Sequence, residues 1–374
     1  MTPSLPRIAA SVAVPKAALQ QIFENLRAEG FSLIGPTVRE GAVVLEEIDG
    51  MDDLPQGWVD EQSPGHYRLK KTHESQYFGC SVGPHSWKQY LHPPRLGLFS
   101  VEKSNGGWAF HTPKGPPPRY AFIAVHACDL AAIAVLDRVL IGSEFRDPQY
   151  AARREHVFIL AANCGHATSS CFCTSMKTGP KVTGGFDLAL TELPDIFLIE
   201  IGSEAGSEMM RGIQWEAATA FDLSRASRVT QRAEKLISRQ LQTDDLPDLL
   251  YENLEHAHWD EVAARCLSCA NCTMVCPTCF CSTVEDSTNL QGTASDRISV
   301  ADSCYNRDFS HVHGGNIRPS IKSRYRQWLT HKLASWHDQF GSSGCVGCGR
   351  CITWCPVGIE ITEEVNSIRA KAVR

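Results

Sequence analysis

The sequence predicts two parts: an α/β domain over residues 1–222 and a mostly helical domain over residues 223–374 built around two cysteine motifs. Three observations predict them. Short apolar runs alternate with stretches of helical spacing in the first part, the pattern of a sheet covered by helices. The pattern Cys-x2-Cys-x2-Cys-x3-Cys-Pro occurs twice, at Cys266, Cys269, Cys272, Cys276 and again 79 residues on at Cys345, Cys348, Cys351, Cys355. Finally, eleven of the 16 cysteines fall between Cys266 and Cys355.

The elements follow in order. Residues 14–29 read as an amphipathic helix, with Pro15 in its first turn, Leu19, Phe23 and Leu26 on one face, and Gly30 as its stop. Residues 31–34 and 42–47 read as short strands with turn residues between them, and 51–119 as loops with short strands. Residues 120–125 form an apolar strand, followed by a helix over 130–140 with Asp129 as N-cap. Further strands are expected at 157–162 and 195–201. A long helix over 223–241 joins the two parts, and a helix over 259–265 leads into the first cysteine motif.

Composition bounds the function. With 374 residues the chain can bury two or more cores. Its 43% hydrophobic and 21% charged content is that of a globular protein, and a net charge of -6 argues against nucleic-acid binding. No run approaches 18 apolar residues, so no membrane span is expected. The apolar residues 8–14 are cut off by Pro15 and Lys16, so no export signal is expected either. Cysteine density in such a chain points to metal in a reducing cytoplasm rather than to disulfides.

The spacing of the repeat suits a [4Fe–4S] cluster, which needs one thiolate per iron. Three cysteines spaced by two residues wrap one corner of the cube, and the fourth of each run reaches the other cluster. That grouping puts Cys266, Cys269, Cys272 and Cys355 on one cluster and Cys345, Cys348, Cys351 and Cys276 on the second. Zinc is the competing reading, but zinc sites usually pair two C-x2-C knuckles or include His. The 68 residues between the motifs exceed a small ferredoxin's hairpins, so a helical ferredoxin-like scaffold with an insertion is expected. Within that insertion Cys279, Cys281 and Cys304 stay open between a metal site, replacement ligands and plain buried thiols.

Upstream, Cys128 and Cys164 each lie just past an expected strand, and Cys171 and Cys173 follow in Cys-Phe-Cys. Sites in α/β sheets gather at such strand ends, so these four are candidates for a third cluster, for zinc, or for unrelated thiols. Cys80 reads as structural. Residues 177–180, Lys-Thr-Gly-Pro, look like a phosphate loop only superficially, and no G-x-G-x-x-G follows a strand. No flavin or nucleotide site and no catalytic residue is expected on this chain.

Several phrases share one family. They are Cys-Pro-Thr-Cys-Phe-Cys from Cys276, Asp302-Ser303-Cys304, His313-Gly314-Gly315-Asn316 with Arg318, and Arg324-Tyr325-Arg326 before His331-Lys332. Upstream they are Gly65-His66-Tyr67-Arg68-Leu69, Val82-Gly83-Pro84 with Ser86-Trp87-Lys88, and Cys171-Phe172-Cys173 with Gly179-Pro180. Over nearly its whole length the chain resembles the iron–sulfur beta subunit of cytoplasmic, NAD(P)-linked nickel–iron hydrogenases of the sulfhydrogenase type. The A subunit of anaerobic sulfite reductase is similar. One position departs: Ala301 precedes Asp302-Ser303-Cys304 where the family favours Trp. The resemblance implies an electron-transfer subunit that relays single electrons between a flavin- and nucleotide-binding subunit and the hydrogenase small and large subunits. The alternatives are service to a sirohaem subunit in sulfite reduction, and a scaffold whose metal is purely structural.

Overall fold

The computed structural model describes residues 5–372 except 82, 114 and 143; Val82 and the extreme ends of the two expected parts lie outside that set. The first strand, β1 (Ser11–Pro15), takes in residues 14 and 15, where the first helix was expected to begin. Val12 and Val14 instead pair with Ile199 and Phe197, and the helix α1 (Ala18–Ala28) starts only afterwards. Pro15 thus closes a strand, where its missing N–H costs nothing. Leu19, Ile22, Phe23 and Leu26 bury the inner face of α1, and β2 (Ser32–Arg39) and β3 (Ala42–Glu47) follow as an antiparallel pair.

Residues 51–119 hold the hairpin β4 (Trp58–Ser63) and β5 (His66–Lys71), the short helix α2 (Lys88–Leu91), and the hairpin β6 (Arg95–Ser104) and β7 (Gly107–His111). Then come β8 (Tyr120–Val125), α3 (Ala127–Leu140), α4 (Pro148–Glu155), β9 (Phe158–Ala162), β10 (Leu188–Glu192), β11 (Ile196–Ile201), α5 (Glu204–Met209) and β12 (Glu216–Ala217). These strands build one sheet in the order β12-β1-β11-β10-β9-β8-β2-β3. Its centre, β10-β9-β8-β2, is parallel. Burial on both faces explains the unbroken apolar runs of β8 and β9.

Two details position later chemistry. In β8 the register slips beside Ala124, whose φ of 65 is left-handed, so the strand is re-aimed just before His126 and Cys128. Helix α3 starts three residues earlier than expected, and Asp129 does not cap it. The Asp129 carboxylate is 1% exposed and lies 2.9 Å from the Arg350 guanidinium, a stronger partner than a helix N–H.

The joining helix α6 (Ala220–Leu236) is fixed by a capping box between Thr219 and Asp222 and lies against β10 and β11. Beyond it come α7 (Leu246–Glu252), α8 (His258–Arg265) and α9 (Asn271–Met274), the hairpin β13 (Ser282–Thr288) and β14 (Ala294–Ala301), and the short pair β15 (His311–Val312) and β16 (Gly315–Asn316). Next are α10 (Ile321–Thr330), a π-helical turn at His331–Ser335, α11 (Trp336–Phe340), α12 (Arg350–Thr353) and α13 (Ile361–Ala372). Trp259, Trp328, Leu329, Leu333, Val365 and Ile368 form the core of this half. The insertion is therefore a hairpin plus helices. Its strand β14 pairs with β6, giving a second sheet, β13-β14-β6-β7, shared by both halves of the chain.

The Asp129–Arg350 pair is the buried ionic tie between those halves. Asp129→Ala should destabilise the chain by about 3–5 kcal/mol, and Arg350→Met in the same background should recover most of that loss. Denaturant unfolding of the two variants measures both.

Candidate iron–sulfur centres

The sequence repeat is also a structural repeat. In each motif the residues at equivalent positions after the first and second cysteine adopt left-handed conformations. They are Ser268 and Ala270 (φ 53 and 67) in one, and Gly347 and Gly349 (φ 66 and 77) in the other. Each turn aims a backbone N–H at the first sulfur: Ser268 donates to Cys266 Sγ at 3.3 Å and Gly347 to Cys345 Sγ at 3.4 Å. A single helical turn, α9 or α12, then presents the third cysteine.

Glycine is needed only in the second motif. A Cβ on Gly347 would stand 2.6 Å from the Phe172 carbonyl oxygen, and one on Gly349 would stand 2.3 Å from that of Ser170. The segment carrying Cys171 and Cys173 is packed directly on this loop, with the Phe172 N–H donating to the Gly347 carbonyl at 2.9 Å. The first motif has an open outer side, with Cys269 exposed, so Ser268 and Ala270 can take left-handed turns at roughly 1–2 kcal/mol each.

The cysteines of the two motifs lie close together in the fold. Cys266, Cys269, Cys272 and Cys355 line one small cavity, and Cys351 lines it with them. The Cys355 sulfur accepts a hydrogen bond from the Ile359 N–H at 3.3 Å. Cys276 faces Cys345, Cys348 and Cys351. Cys128, Cys164, Cys171 and Cys173 line another small cavity, together with Cys348, at the carboxyl ends of β8 and β9. The Nε2 of His166, which lines the same cavity, is buried without a hydrogen-bond partner among the described residues.

The groups also have an order. Cys272 lies in the field of Cys351, and Cys348 lies in the fields of both Cys128 and Cys173. Gly179 keeps the last contact tight, since a Cβ there would stand 3.2 Å from Cys173 Sγ. The Lys177–Pro180 segment thus serves as a wall of this cavity, with the Thr178 N–H donating to the Cys173 carbonyl at 3.0 Å.

Burial pushes most of these thiols up: Cys345 and Cys173 to about 12, and Cys128 and Cys351 well above the usual range. Thiolates in such positions need a positive partner. Two cations are built in, and sequence reading missed both roles. Lys332, 3% exposed and set in the π-helical turn, places Nζ 3.4 Å from Cys276 Sγ, 3.0 Å from Thr278 Oγ1 and 3.1 Å from the Gly344 carbonyl. Burial opposes its charge, but Cys276, Cys279 and Cys345 outweigh it and hold the ammonium above its usual range. Arg350 behaves likewise between Asp129, Cys348 and Cys128. Cys276 is held well below the usual thiol range by hydrogen bonds from Cys279 and Thr278 and by the Lys332 charge.

The donor chemistry fits iron–sulfur clusters. Each group is all-sulfur, is ringed by N–H donors or cations, and surrounds a volume rather than a point. Among the described residues no three His, Cys, Asp or Glu side chains converge closely enough to hold a single metal ion. A tetrahedral zinc, with bonds of about 2.3 Å to sulfur, requires that convergence. Of the cysteines left open, Cys279 contacts Cys276, while Cys281 and Cys304 contact each other. Cys80 is buried away from all of them, as a structural residue. No described helix is long and apolar enough to cross a membrane.

Comparison with known proteins agrees with this geometry. The family model described as a 4Fe-4S dicluster domain matches residues 265–359, which hold both cysteine motifs. The sulfhydrogenase 2 subunit beta of Pyrococcus furiosus is 32% identical over 352 residues, covering 93% of this chain and 95% of that protein. No solved structure matches. A chain 32% identical to that subunit over 93% of its own length belongs to the family of sulfhydrogenase beta subunits.

Proposed function

We propose that this chain is the electron-transfer subunit of a soluble, NAD(P)-linked nickel–iron hydrogenase of the cytoplasm. Its partners are a flavin- and nucleotide-binding subunit and the hydrogenase small and large subunits. Cys266, Cys269, Cys272 and Cys355 hold centre 1; Cys345, Cys348, Cys351 and Cys276 hold centre 2; Cys128, Cys164, Cys171 and Cys173 hold centre 3. The observation that carries this reading is the order of the cysteines: Cys351 lines the same cavity as Cys272, and Cys348 lines the same cavity as Cys128 and Cys173.

Clusters at these positions supply one-electron redox chemistry and no bond making. The chain's own residues set how readily each position accepts charge. Lys332 favours negative charge at Cys276, and Arg350, between Cys348 and Cys128, favours it at centres 2 and 3. The exposed Cys269 makes centre 1 the end open to a partner, while centre 3 lies deep at the sheet edge. The α/β part (1–222) and the mostly helical ferredoxin-like part (223–374) divide within α6, which acts as the link between centre 3 and the dicluster half.

Two experiments test this reading. Cys348→Ser should abolish hydrogen-dependent reduction of nucleotide by the assembled complex while artificial dyes still accept electrons at the hydrogenase module; unchanged coupled turnover would remove centre 2 from the relay. Lys332→Met deletes a charge-assisted hydrogen bond to sulfur, an interaction of about 1.5–3 kcal/mol. The midpoint potential of centre 2, read by electron paramagnetic resonance titration, should fall by roughly 60–130 mV on that basis.

A further inference from the structure

Cys281 and Cys304 lie outside all three groups, yet the fold places them together. Cys281 immediately precedes β13 and Cys304 follows β14 by three residues. The hairpin closes with Ser282 opposite Ala301, and the Asp302 N–H donates to the Cys281 carbonyl at 2.9 Å. The turn carrying Cys304 is clamped from the other side. Ser303 Oγ is 2.7 Å from Thr273 Oγ1 of α9 and accepts from the Tyr305 N–H at 3.1 Å. The result is close approach: each of the two thiols is the largest influence on the other's acidity. Both residues are partly exposed.

We propose that Cys281 and Cys304 are a redox-active thiol pair that exchanges with low-molecular-weight disulfides and closes reversibly into a disulfide. The Cys281 sulfur attacks one sulfur of the small disulfide, forming a mixed disulfide and releasing one thiol. The Cys304 sulfur then attacks Cys281, forming the Cys281–Cys304 bond and releasing the second thiol. The protein loses two electrons and two protons, and both small-molecule sulfurs leave as thiols. A dithiol reverses the sequence. Close approach of the two thiols means that closure needs side-chain rotation to a bond of about 2.05 Å rather than movement of the hairpin. The geometry also supplies a leading nucleophile. Hydrogen bonding from Cys304 lowers the Cys281 thiol to about 7, and Cys304 is pushed up in return. The pair lies beside centre 1, since Cys304 is in the field of Cys272. A two-electron centre would therefore adjoin a one-electron relay.

The test uses the full chain with its iron, purified anaerobically and equilibrated with defined ratios of oxidised and reduced dithiothreitol. Free thiols are then trapped by alkylation, and the peptides are mapped by mass spectrometry. The expected result is a linked Cys281–Cys304 peptide pair that accumulates at the oxidised end, disappears at the reduced end, and is lost in Cys281→Ser and in Cys304→Ser. Both cysteines alkylated separately at the oxidised end would overturn the proposal. So would loss of iron, together with a cluster signal, in either variant, because that marks the pair as ligands. The readout does not depend on electron relay, so its outcome is separable from that of the proposed function.

Discussion

One backbone contact sets the arrangement of this protein: the Phe172 N–H donating to the Gly347 carbonyl. It seats the Cys171–Cys173 segment of the α/β half on the second cysteine loop of the dicluster half. Two glycines make the approach possible, because any side chain at Gly347 or Gly349 would enter the backbone of residues 170–173. The buried Asp129–Arg350 pair ties the same junction from the other side. Without this seat, Cys128 and Cys173 would not face Cys348, and the upstream cysteines would form an isolated pocket. The shared sheet β13-β14-β6-β7 joins the halves elsewhere but brings no sulfur together.

The second constraint is electrostatic. Gathering many thiols in a low-dielectric interior raises the cost of making them thiolates, as the upward shifts of Cys128, Cys345 and Cys351 express. The chain answers with cations buried where negative charge collects. Lys332 is held against Cys276 by a π-helical turn, a local irregularity often found at functional sites. Arg350 stands between two groups and is itself neutralised by Asp129, so it steadies both without adding net charge to the junction.

How much of this the sequence revealed depended on the range of each interaction. The dicluster domain was legible because ligand spacing is local and the repeat supplies both motifs. The strands at 120–125 and 157–162 were legible because central parallel strands are apolar throughout. The start of α1 was misread because Pro15 suits the first turn of a helix, and only the pairing of Val14 with Phe197 shows that the strand runs on to Pro15. Strand β10 was missed because Leu-Ala-Leu-Thr-Glu is short and rich in residues of indifferent strand propensity. Asp129 looked like an N-cap, the usual role of Asp before a helix, until a distant Arg350 claimed it. Lys332 carried no local signal, since its partners lie 12 to 56 residues away. The need for glycine in the second motif was not legible, because the segment that requires it, residues 170–173, is distant in sequence.

The central claim is that three all-cysteine centres, not two, lie in line through this junction. Iron and acid-labile sulfide analysis of the anaerobically purified chain tests it most directly. The account predicts about twelve iron atoms per chain, four for each centre, falling to about eight when Cys128 and Cys164 are both replaced by serine. About eight iron atoms in the unaltered chain, unchanged by that double substitution, would contradict it.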